Sequence, residues 1–141
     1  MEISEAKKLV KEKLPEKRYN HSLRVAETAV KLAEIYDGDK DKAELAGVLH
    51  DYCKYDDLSS MYQIVRQCEL ESDLLSYGSE ILHGPVCAAI MEHDYHIEDE
   101  EVLLAIKYHT TGRQLMTKTE KLIFIADYSE PGRNTPGGQA M

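Results

Sequence analysis

The stretch Gly47-Val48-Leu49-His50-Asp51-Tyr52-Cys53-Lys54 constrains this chain more than any other. An apolar run that ends in an adjacent imidazole and carboxylate belongs to a helix whose end is tucked into the protein. Burying both groups without partners costs several kcal/mol, so they need a hydrogen-bonding neighbour, an opposite charge or a metal. Adjacent helical residues point about 100° apart, so the pair reaches one ion only where the helix ends and the backbone relaxes. Two readings are open from this stretch alone. The pair ligates a metal, or His50 is a helix C-terminal histidine favoured by the dipole, with Asp51 as its acceptor. Gly47 would let a second helix pack close by, at a propensity cost of up to about 1 kcal/mol.

Helical periodicity runs through the rest of the chain. Ser4 to Leu14 reads as a short helix closed by Pro15. Residues 18–36 read as a longer one with Leu23, Ala26, Val30 and Ala33 on one face. Gly38 stops it, and Asp39 or Asp41 caps a third helix ending near His50. A polar loop from Tyr55 to Ser60 precedes weaker helices at 60–67 and 72–76. Pro85 suits the first turn of a helix reaching His93. Asp99 caps residues 100–109, and Thr117-Lys118-Thr119-Glu120 has capping-box spacing ahead of Leu122 to Ala126. No asparagine–glycine or aspartate–glycine turn joins two alternating runs, so the expected class is all-α. One domain is expected over residues 1–130. Residues 131–141 lack core-forming side chains and read as a C-terminal loop at which a longer chain is cut short.

Asp127 follows five apolar residues in a segment expected to be buried. Lys121 and Arg133, six residues away on either side, do not share its face, so a metal is preferred over backbone donors as its partner. His21 read alone is a capped surface histidine after Asn20, although it shares a helix face with Arg24, Val25 and Thr28. His83 precedes Gly84-Pro85, and His109 precedes Thr110-Thr111-Gly112-Arg113. Both stand where helix ends could converge on one pocket. The hydroxyls, glycine and guanidinium of that turn are phosphate-contacting groups, although turns of this composition are also common as solvated loops. His93 and His96 lie in a charged segment and read as surface residues.

Taken together, the order is His, His-Asp, two separate histidines, then Asp, with no thiolate. Such a set suits iron, manganese, cobalt or zinc in a site that keeps open positions. A metal of that kind polarises a phosphoryl oxygen and makes hydroxide available near neutral pH. The net charge of -9 argues against a general nucleic-acid binder. It leaves room for a phosphorylated small molecule, because a bound metal reverses the field locally. Cys53, Cys68 and Cys87 form no CxxC and read as reduced thiols. No signal segment or bilayer-length apolar run is evident. A cytoplasmic protein without membrane or nucleic-acid partners is expected.

His21, His50-Asp51 and Asp127 resemble the ligand set of the HD-domain metal-dependent phosphohydrolases, a superfamily of helical proteins. Five words spread over nearly the whole chain are similar to its YqeK family: Arg18 to Val25, Leu49 to Lys54, Ile81 to Val86, Tyr108 to Gly112 and Ile125 to Pro131. The resemblance implies a helical HD-domain bundle with its metal site between central helices. It also implies symmetrical cleavage of diadenosine tetraphosphate into two ADP, using iron. His21, His50, Asp51 and Asp127 would then be the primary metal ligands. His83 and His109 would face the phosphates or hold a second metal. Water would attack in line, oriented by Asp51 or Asp127, while His83 and His109 stabilise the phosphoryl charge or protonate the leaving ADP. Lys54 would meet a phosphate or orient Asp51, and Arg24, Thr110 and Arg133 would help hold the nucleotide, as would His21 and Asp127 at the substrate side of the site. Members of that family continue into further helices where this chain stops at Met141. The rival readings are a phosphohydrolase of mononucleotides such as ADP or GDP and a catalytically weak nucleotide-binding regulatory module. A homodimer is compatible with all of them.

Overall fold

The structure, a computed structural model, describes residues 1–130. Seven α-helices order them: α1 (Ile3–Lys13), α2 (Glu16–Ile35), α3 (Lys40–Leu49), α4 (Leu58–Gln67), α5 (Ser79–His93), α6 (Glu100–Lys107) and α7 (Lys118–Ser129), with a 3-10 turn at Ser72–Ser76. No strand occurs among the described residues, and the all-α expectation holds. The expected loop at 131–141, including Arg133, lies outside the described residues.

Local chemistry sets most of the boundaries. The Asp39 carboxylate accepts from Lys42 N–H at the start of α3, Asp57 from Ser60 N–H at α4, and Asp99 from Glu101 and Val102 N–H at α6. Thr117 and Glu120 form the expected capping box at α7. These side chains satisfy amide donors that a helix start leaves without intrahelical partners.

One boundary differs from expectation. α5 begins at Ser79, so Pro85 lies inside the helix and His83 in its body, not ahead of its start. An internal proline removes one backbone bond and costs about 3 kcal/mol. Burial outweighs this, because residues from Leu82 to Met91 are enclosed on nearly every side of α5. Gly84 assists: a β-carbon there would stand 2.7 Å from the Lys107 carbonyl oxygen of α6.

The centre of the bundle is the pairing of α2 with α3, to which α1, α6 and α7 attach. The buried stripe of α2 runs through Ser22, Val25, Ala26, Ala29 and Ala33, rotated from the expected Leu23–Val30 face. Small residues win that face because α3 approaches closely, with Ala43, Ala46 and Gly47 buried against it. A β-carbon on Gly47 would lie 2.7 Å from Ala26 Cα, a backbone atom that no rotamer change can move. Similarly, Leu122, Ile123 and Ala126 of α7 are buried but Ile125 is 49% exposed, so the apolar run is not enclosed as a whole. No helix among the described residues is long and apolar enough to cross a membrane.

Gly47→Ala forces α2 and α3 apart just ahead of His50. Overpacking of this kind costs about 1–3 kcal/mol. Urea denaturation should show a loss of that size, together with weaker metal binding.

Candidate metal centre

Five elements deliver side chains to one point. His21 comes from α2, His50 and Asp51 from the end of α3, His83 from α5, His109 from the turn after α6, and Asp127 from α7. All four histidines and Asp51 are buried, and Asp127 retains 20% side-chain exposure. His93 and His96 are exposed, as expected.

The orientation of each imidazole follows from what its Nδ1 meets. His50 Nδ1 lies 2.6 Å from the Gly47 carbonyl, His83 Nδ1 3.1 Å from that of Ser79, and His109 Nδ1 2.7 Å from that of Ile106. A carbonyl only accepts, so each Nδ1 carries the hydrogen. His21 Nδ1 lies 3.0 Å from Glu130 Oε2, and that carboxylate is also held by Arg24 Nε. Every Nε2 is therefore the ring nitrogen left for the centre, and all four turn to the same space.

The donor atoms there fall into two sets that share Asp51. His21 Nε2 is 3.1 Å from Asp127 Oδ1 and 3.8 Å from Asp51 Oδ2. His50 Nε2 is 3.3 Å from Asp51 Oδ2 and 3.5 Å from Asp127 Oδ1. The other oxygen, Asp51 Oδ1, is 3.4 Å from His83 Nε2 and 3.5 Å from His109 Nε2, which are themselves 3.0 Å apart. With metal–ligand bonds of about 2.0–2.2 Å, neighbouring ligands lie about 3.0–3.5 Å apart. The spacing fits.

The decisive test is His50 Nε2. It is buried and has no hydrogen-bond partner among the described residues, although two carboxylate oxygens stand nearby. An orphaned buried nitrogen is expensive, and a cation between it and those oxygens removes the cost. The donor set, nitrogen and carboxylate without thiolate, suits a transition metal.

Electrostatics agrees. Burial is the largest influence on His50 and opposes its charge, but the Asp51 and Asp127 carboxylates outweigh it and hold the pKa well above the ordinary value. Burial would likewise raise Asp51 and Asp127, yet the surrounding imidazoles hold both carboxyls below the usual range. His109 goes the other way, pushed down chiefly by burial.

The centre forms the floor of a cleft of about 720 Å³. Lys17, Arg18, Arg24 and Lys54 line it, whereas among the described residues the only acid lining it beyond Asp51 and Asp127 is Glu80. Thr110 also reaches the cleft. Arg113 does not: its fork binds Glu120 at 2.8 and 2.7 Å and lies over the Tyr108 ring. Of the phosphate-contacting groups expected in that turn, the guanidinium is thus committed to bracing the loop. Arg24 lines the cleft while its Nε holds Glu130.

Two residues escaped the sequence reading. Glu130 is fully buried and fixes His21, a carboxylate behind a histidine that sets its tautomer and orientation. Arg18 reaches Asp51 Oδ2 at 3.2 Å from the cleft side. Each lies three residues from a candidate ligand, Glu130 from Asp127 and Arg18 from His21, and that helical spacing was the available signal.

The family profile of the HD domain matches residues 18–132, which contain all six side chains of the centre. The chain belongs to the HD-domain family. The expected YqeK membership within it also holds. A *Staphylococcus aureus* protein named as a symmetrical bis(5'-nucleosyl)-tetraphosphatase is 83% identical, the match covering 97% of this chain and 71% of that one. A *Bacillus subtilis* protein of the same name is 42% identical, covering 97% of this chain and 74% of the relative. The crystal structure of a predicted HD superfamily hydrolase involved in NAD metabolism from *Clostridium acetobutylicum* superposes with a TM-score of 0.90 at 39% identity, covering 99% of this chain and 75% of that one. HD-domain hydrolases are metal-dependent, and the donor set of this HD domain is built for that role.

The raised pKa of His50 has a measurable consequence. In metal-free protein near neutral pH the imidazole keeps a second proton, which an incoming cation must displace. Metal affinity should therefore rise with pH up to the His50 pKa, by about tenfold per pH unit for one proton. Calorimetry in buffers of different ionisation enthalpy should report release of about one proton per cation bound.

Proposed function

We propose that this chain is a metal-dependent hydrolase that cleaves diadenosine tetraphosphate symmetrically into two ADP. The observation that carries the reading is the shared Asp51: two sets of donors meet on one carboxylate at the floor of a cleft rimmed by cations. A chain of net charge -9 repels polyanions in general. Here, four basic side chains around an acidic floor hold a place for metal and polyphosphate together. The names of the relatives described above support the choice of substrate.

Under this proposal His21, His50, Asp51 and Asp127 would hold one cation, and Asp51, His83 and His109 would hold a second. Iron is the proposed metal, with manganese, cobalt or zinc as substitutes. When bound, such metals supply Lewis-acid polarisation of a phosphoryl oxygen and a nucleophile derived from water. The remaining work belongs to the chain. Glu130 and Arg24 keep His21 Nε2 aimed at the centre. Burial keeps His109 neutral, so it serves as a ligand and not as the acid that protonates the leaving ADP. Asp51 turns one oxygen to each donor set, and Asp127 would orient the attacking water. Lys54, Arg18 and Thr110 bind phosphate oxygens along the wall and offset the charge that develops as the bond breaks. Three free thiols, Cys53, Cys68 and Cys87, suit a reducing compartment, and the cytoplasm is the proposed location.

Product analysis tests this reading. Metal-loaded protein given diadenosine tetraphosphate should release ADP alone, separated by ion-exchange chromatography. AMP plus ATP would contradict the symmetrical cut. Bound nucleotide without products would favour a regulatory module, and turnover confined to ADP or GDP would favour a mononucleotide phosphohydrolase.

A further inference from the structure

The turn after α3 leaves one aromatic ring without a structural task. Tyr55 is 58% exposed and lines the cleft beside Lys54 and Arg18. Its side chain makes no hydrogen bond or ring contact among the described residues.

The residues around it are tethered. Tyr52 Oη lies 3.2 Å from Tyr95 Oη, and the Lys13 ammonium sits 4.9 Å over the Tyr52 ring. The same ammonium is 2.7 Å from the Asp56 carboxylate, and Asp57 caps α4. Asp56 N–H is bonded to the Cys53 carbonyl, and Cys53 is buried. The backbone on both sides of Tyr55 is therefore fixed, and the ring stands in the cleft wall at a set place. An exposed ring there contributes nothing to the core. Beside two cations in a polyphosphate cleft, it offers what a nucleobase needs, a flat π-face with positive charge close to the attached phosphates.

We propose that Tyr55 is the base-stacking platform of this cleft, receiving the base of the nucleotide whose phosphates lie along Lys54 and Arg18. The inference rests on the dinucleoside polyphosphate reading and adds the residue that separates a nucleotide from a bare polyphosphate. Stacking takes any base by its face, so Tyr55 favours large purines over pyrimidines without reading their edges.

Two measurements test it. Base–aromatic stacking is worth about 1–3 kcal/mol, so Tyr55→Ala should raise KM for diadenosine tetraphosphate about tenfold while kcat stays within about twofold. Tyr55→Phe should match the wild type, and inhibition by inorganic tripolyphosphate should be equal in all three proteins. An unchanged KM in Tyr55→Ala overturns the proposal, as does an equal loss of tripolyphosphate inhibition. The chain has no tryptophan, so Tyr55→Trp introduces a single indole fluorophore. Titration with ADP should quench its emission, and tripolyphosphate should not. An emission that saturating ADP leaves unchanged overturns the stacking role. This second readout needs no turnover. Should the wild type release no ADP in the product assay, the hydrolase reading falls, while quenching by ADP still supports Tyr55 and its absence still rejects it.

Discussion

Three backbone carbonyls and one buried carboxylate hold this structure's chemistry in place. Gly47, Ser79 and Ile106 each accept the Nδ1 hydrogen of a nearby histidine on the same segment, and Glu130 does so for His21 from the far end of the chain. Four Nε2 atoms are thereby forced into one space. His83 Nε2 and His109 Nε2 stand 3.0 Å apart, and two lone pairs at that distance repel unless a proton or a metal lies between them. The packing of the bundle imposes this arrangement. Gly47 admits α2 against α3 ahead of His50, and Gly84 admits α6 against α5 next to His83.

The second organising feature is the division of charge. The chain is strongly acidic, yet four basic side chains line one cleft whose floor holds two carboxylates among four imidazoles. The imidazoles around them hold those carboxyls below the usual range, and the two carboxylates that face His50 hold its pKa well above the ordinary value. A proton on His50 plays the electrostatic part that a metal plays more fully. That one proton suffices to couple the expected metal affinity to pH.

Much of this was legible in the sequence, for identifiable reasons. Caps at Asp99 and Thr117 are local chemistry and fell where expected, and of Asp39 and Asp41 it is Asp39 that caps α3. His50-Asp51 announced a buried polar pair because an apolar run led into it. Pro85 misled, because its local preference for a first turn lost to the burial of α5, a tertiary effect. The stripe of α2 was rotated for a related reason: the large residues Leu23 and Val30 gave way to alanines where α3 comes close. Glu130 was hidden because it looks like an ordinary acid at a helix end, and only the fold brings it to His21. Arg113 looked like a phosphate ligand for want of any sequence signal that Glu120 would capture it.

The central claim is that Asp51 is shared by two cation sites, one with His21, His50 and Asp127 and the other with His83 and His109. Anomalous diffraction from metal-saturated crystals, recorded at the absorption edge of the bound metal, tests it most directly. The account predicts two peaks, one beside each oxygen of Asp51. Saturating metal with no peak within bonding distance of Asp51, or a single peak that leaves His83 and His109 bound to each other, would contradict it.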